Sequence, residues 1–189
     1  MNKKALLHLL NEFAPVMGFF VAAQLYSFYT ATSILMILTL MALWAGWHFE
    51  RHIPVLPIIS GFFVIISGII TLLYQAPDAL IFADSLYYFI MGLTIAGGLV
   101  FNVNILKRIF ARVFAMTDQG WKILAIRWVI IFLLGGIANE LVRQLATPED
   151  WVNFKVFKVI TIAIFGFYQF TLSKKYRIPE LSNEWGLRK

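Results

Sequence analysis

Asn139, Glu140 and Arg143, the acidic turn Thr147-Pro148-Glu149-Asp150, and then Trp151, Asn153, Phe154 and Lys155 hold most of the sequence's chemistry outside its plainly polar loops. Carboxylates and an amine at one depth are the raw material of acid–base catalysis. Here the acids have plausible pairing partners close by, so no catalytic residue is assigned. Gly135, Gly136, Asn139, Glu140 and Arg143 recur at three and four residues, which puts small and polar groups on one helix face. Lys155 lies four residues past Trp151, about 6 Å along a helix. The short turn makes the two flanking helices antiparallel neighbours. Glu140 and Lys155 are therefore expected to pair near the outer surface, with Arg143 and Asn139 completing a polar lock. Lys158, deeper on the face of Lys155, must snorkel or borrow an acid. Arg127 is thirteen residues before Glu140, roughly 20 Å along the axis, and is expected to reach the cytoplasmic headgroups instead.

Other constellations are thinner. His48 and His52 stand four apart around Glu50 and on a helix would share a face, but the chain has three histidines in all, His8 being the other. Membrane di-iron chemistry needs many more ligands, so no metal site is predicted. With no cysteine there is neither a disulfide framework nor a thiol nucleophile. Asp78, Asp84 and Asp118 read as solvated loop acids. No Ser–His–Asp set or glycine-rich phosphate loop stands out, and no cofactor or small-molecule substrate is indicated.

The elements that must carry these residues are membrane spans. Of 189 residues, 60% are hydrophobic and 14% charged, whereas soluble domains sit near half and a quarter. Several apolar runs approach the ~20 residues that cross a bilayer, and they are apolar on every side, unlike barrel strands. The fold class is all-α: a polytopic transmembrane helical bundle of about six spans, at 6–26, 33–49, 53–74, 85–102, 121–142 and 152–172. The first is the weakest, interrupted by Asn11, Glu12, Pro15 and Gln24; Asn11 and Glu12 also argue against a cleaved signal peptide. Ser27–Thr32 reads as a turn, 105–120 as a cytoplasmic, partly amphipathic loop carrying Lys107, Arg108 and Arg112, and 173–189 as a cytoplasmic tail. Ser60-Gly61 and Ser67-Gly68 put two notches on one face of the third span, where a neighbouring helix can approach closely.

Lys and Arg fall at the N-terminus, in the second and fourth loops and in the tail, while the first and third loops have none. This alternation predicts cytoplasmic termini. It also accounts for the net charge of +6 without a nucleic-acid stripe.

Asp118-Gln-Gly120-Trp121-Lys122, then Arg127-Trp128, Asn139-Glu140 and Trp151-Val-Asn153-Phe-Lys155-Val-Phe157 resemble the intracellular septation protein A family (the YciB/IspZ group). Pro54-Val-Leu-Pro57, Ser60-Gly61, Ala14-Pro15 and Ala31-Thr32 look like the same family, so the resemblance runs over nearly the whole chain. There are two departures. The family's lysine-rich opening of the fourth span is replaced here by Phe82-Ala-Asp84-Ser-Leu-Tyr87. Lys158 stands where the family commonly has glycine.

The resemblance implies a bacterial inner-membrane protein of envelope biogenesis, membrane integrity and septation, with no established reaction. It implies as partners membrane lipids and the membrane proteins of cell division, elongation and peptidoglycan synthesis. Structural or interaction roles fall to Trp121, Arg127, Trp128, Asn139, Glu140, Arg143, Trp151, Asn153, Phe154 and Lys155. A non-enzymatic scaffold leads. Lipid or small-solute handling is the alternative, but it calls for broken helices or inverted repeats, and none stand out. A membrane enzyme acting on lipid-linked substrates comes third.

Overall fold

The computed structural model describes residues 3–50 and 55–188, with side chains from 14 to 48 and from 57 to 188. Among the described residues seven α-helices follow one another: α1 Lys3–Leu25, α2 Phe28–Ala45, α3 Val55–Tyr74, α4 Pro77–Val100, α5 Ile105–Phe110, α6 Asp118–Leu145 and α7 Pro148–Lys175. Helices α2, α3, α4, α6 and α7 supply stretches long and apolar enough to cross a membrane, and α1 adds the shorter apolar piece Ala14–Leu25. The class is all-α, as the composition requires. Pro54 and His52 lie outside the described residues.

Helices α2, α4, α6 and α7 begin earlier than the apolar runs, because capping chemistry rather than hydropathy sets their starts. Ser27 caps α2, its hydroxyl accepting from Thr30 N at 3.2 Å, so most of the expected turn at Ser27–Thr32 is helical. Pro77 and Asp78 open α4 in the positions that tolerate a missing N–H and favour an acid. Asp84 therefore sits inside a helix and not in a loop. Thr147 and Asp150 cap α7 reciprocally: Asp150 N donates to Thr147 Oγ1 at 3.2 Å, and Thr147 N to Asp150 Oδ2 at 3.3 Å. Gln75 (φ 53°) and Asn102 (φ 56°) end α3 and α4 in the left-handed conformation.

The chain forms two compact units: residues 1–87 with 138–157, and residues 88–137 with 158–189. The first unit has a core of Phe19, Phe28, Leu35, Leu80, Ile81 and Trp151. Trp151 is fully buried; it meets Phe19 edge-on at 5.9 Å and Phe28 at 6.1 Å. The two notches on α3 face α2, where a Cβ at Gly61 would lie 2.9 Å from Leu43 and one at Gly68 2.5 Å from the Met36 sulfur. The expected close packing is present. Gly68→Val is accordingly expected to lower stability by about 1–3 kcal/mol through overpacking, measurable as a reduced thermal midpoint in detergent.

The second unit packs Ile95, Leu106, Met116, Trp121, Leu124 and Leu172 together. α7 runs on to Lys175, and the segment after it is an ordered strap along residues 111–117. Thr117 N donates to Tyr176 O, Ile178 N to Ala115 O, Ala115 N to Gly186 O and Arg188 N to Val113 O, all at 2.8–2.9 Å. Of the expected amphipathic loop at 105–120, residues 105–110 form the short helix α5, capped by Asn104, and 118–120 already belong to α6.

Candidate functional site

Within the first unit, the C-terminal end of α6 and the start of α7 meet the first turns of α4. Asn139 is fully buried. Its Nδ2 donates to Ile81 O at 3.0 Å and to Ser85 Oγ at 2.9 Å, and its Oδ1 accepts the Trp151 indole N–H at 2.9 Å. One side chain thus ties α4, α6 and α7 through a donor pair and an acceptor, which is what a buried amide needs to offset its desolvation.

The charges pair differently from the sequence expectation. Lys155 Nζ lies 2.8 Å from Asp84 Oδ1, both side chains being largely buried at 12% and 15% exposure, and 4.9 Å from the Trp151 ring centroid. Glu140 is held by Arg143, whose Nε and Nη2 reach its two oxygens at 2.9 and 2.5 Å. Gln144 and Ser85 also donate to it. Arg143 then forks onto Asp78, Nη1 standing 2.8 Å from both carboxylate oxygens. The expected Glu140–Lys155 pair is therefore replaced by Lys155–Asp84 and Glu140–Arg143–Asp78. An i,i+3 neighbour on the same helix reaches Glu140 without depending on how helices dock. Asp84 was available to Lys155 only because α4 starts at Pro77.

Asn153 and Phe154 complete the cluster. Asn153 Oδ1 accepts from Gln24 Nε2 on α1 at 3.1 Å, and Phe154 packs against the first core. Sequence reasoning missed Asp78, Asp84, Ser85 and Gln24 as partners. The available signal was Pro77-Asp78, a helix start that would have put Asp78, Ile81 and Ser85 on one face.

Trp121, Arg127 and Trp128 belong to the second unit. Trp121 is buried in its core, and Trp128 meets Phe165 edge-on at 5.2 Å. Arg127 is engaged by α7. Nine residues into α6, about 13–14 Å along the axis, its Nη1 donates to Gln169 Oε1 at 3.1 Å, and its guanidinium lies 5.4 Å from the Tyr168 ring. Lys158 is buried, with Nζ 4.3 Å over the centroid of Tyr88. One edge of that ring fits against Gly135, where a Cβ would come within 2.8 Å of it. An aromatic face is a favourable seat for a desolvated ammonium, so Lys158 need not reach the interface.

Apolar helices of spanning length, with ionisable groups buried among themselves, define a polytopic helical membrane protein whose interior polar groups serve helix–helix contact. The profile of the family described as Intracellular septation protein A matches residues 7–179. Curated relatives bear the name inner membrane-spanning protein YciB. That of Nitrobacter hamburgensis is 31% identical over 188 residues, covering 97% of this chain and 94% of the relative. That of Rhizobium meliloti is 31% identical over 95% and 93%, and that of Agrobacterium fabrum 35% identical over 72% and 67%. No solved structure matches the chain. The chain belongs to the intracellular septation protein A family and is a multi-pass protein of the bacterial inner membrane.

Proposed function

We propose that this protein is a non-enzymatic helical scaffold of the inner membrane, acting in envelope biogenesis, membrane integrity and septation. It holds a fixed arrangement of spans for membrane proteins of cell division, elongation and peptidoglycan synthesis to dock on. The observation that carries this reading is the pairing in the first unit: Asp84 with Lys155, and Glu140 and Asp78 with Arg143. Charges already engaged with one another orient helices; a catalyst instead needs an acid or base poised for substrate. The family's name supplies the link to septation, and it names no reaction.

The test is site-specific photocrosslinking in living cells. A photoreactive phenylalanine analogue at Phe62 or Leu93, both more than half exposed on spanning helices, is expected to capture division or wall-synthesis membrane proteins. Adducts with lipid alone at these and neighbouring outward positions would overturn the scaffold reading.

A further inference from the structure

The second unit contains a cavity of about 330 Å³ lined by Lys107, Ala111, Thr117, Asp118, Trp121 and Arg188, among others. That is at the lower end of small-ligand sites, about 300–1,000 Å³. It has room for a headgroup but not for acyl chains. We infer that this cavity binds the phosphodiester headgroup of an anionic phospholipid from the cytoplasmic leaflet.

Its walls are fixed by the backbone. Residues 113–117 and the strap after α7 are joined by bridges between Phe114 and Leu187 and between Met116 and Arg177. Gly186, at φ +79°, turns the strap so tightly that a Cβ there would sit 2.7 Å from Ser173 O. That turn brings Arg188 back over residue 111. The Arg188 Nε donates to Ala111 O at 2.7 Å, which anchors the guanidinium. Among the described residues no hydrogen bond takes its two terminal nitrogens, the pair that grips a phosphate bidentately.

The floor is apolar: Ala115, Met116 and Trp121 are all buried. Lys107 pairs with Asp118, but this pair is exposed at 46% and 86%. Such pairs are weak, so Lys107 can turn to a phosphate at little cost.

The surroundings match the ligand. Residues 105–122 and 173–188 carry eight cations against three acids. These are also the segments that the Lys/Arg alternation assigns to the cytoplasmic side, where anionic lipids concentrate and basic pockets recognise them. The site is independent of whether other envelope proteins dock on the spans.

The experiment uses the full-length protein in nanodiscs of phosphatidylcholine with or without phosphatidylglycerol, and counts retained lipids by native mass spectrometry. Retention of phosphatidylglycerol over phosphatidylcholine is expected, with Arg188→Gln weakening it by about fivefold. Ala111→Phe keeps every charge but fills the cavity, and is expected to abolish the preference. It also decides the matter if Arg188→Gln fails to fold. Lys175→Gln, away from the cavity, should change retention less than Arg188→Gln. Equal retention by wild type and Ala111→Phe would overturn the inference. So would inorganic phosphate stabilising the protein in phosphatidylcholine discs as much as phosphatidylglycerol does, which would identify a free phosphate as the occupant.

Discussion

Lys155→Met is expected to destabilise the protein by about 3–5 kcal/mol, the usual cost of removing one partner from a buried ion pair. Methionine keeps most of the length and apolar stem of lysine, so what the substitution removes is the ammonium 2.8 Å from Asp84. The carboxylate stays at 15% exposure without that cation, and loses Coulomb energy where water cannot replace it. The attraction of the ammonium to the Trp151 ring at 4.9 Å is lost as well. Chemical unfolding in mixed micelles measures the difference. Asp84→Asn combined with Lys155→Met should recover most of the loss, because a neutral pair leaves no buried charge unbalanced. A single variant costing under about 1 kcal/mol would mean that the pair behaves as a solvent-exposed one.

Asn139→Ala comes next, at about 2–4 kcal/mol. Interhelical hydrogen bonds in membrane proteins average about 0.6 kcal/mol, with the strongest near 1.7, and an orphaned buried donor adds about 1–3. Asn139 makes three such bonds, and its loss leaves the Trp151 indole N–H unpaired in a fully buried site. Trp151→Phe removes that donor. The double variant Asn139→Ala/Trp151→Phe is therefore expected to cost less than the sum of the two single variants. Strict additivity in the same unfolding assay would show that the indole–amide bond contributes nothing to holding α6 and α7 together.

Both variants act on residues that the sequence had marked, yet neither role was fully legible there. Asn139, Glu140 and Arg143 recur on one helix face, and Trp151, Asn153, Phe154 and Lys155 open the following helix, so a polar cluster at this end of α6 and α7 was readable from spacing alone. The notches at Gly61 and Gly68 were readable for the same reason: a small residue at helical period implies a close neighbour. Asp84 was hidden because hydropathy starts the fourth span only at Ser85, although Pro77 and Asp78 begin the helix two turns earlier. Nothing local to Arg127 announces its partner Gln169, forty-two residues on. The strap over residues 111–117 has no periodicity to detect, since backbone groups make its bonds.

The sequence by itself determined that this chain is an all-α membrane protein, and roughly where each span runs. Burying apolar surface in lipid is a local term that accumulates residue by residue along a helix. Which acid meets a base on another helix was decided only by the tertiary structure. An ion pair depends on the rotation and axial offset of two helices to within a few ångströms, and no single stretch of chain encodes that. Glu140 closed on Arg143 within its own helix, while Lys155 found Asp84 seventy-one residues away.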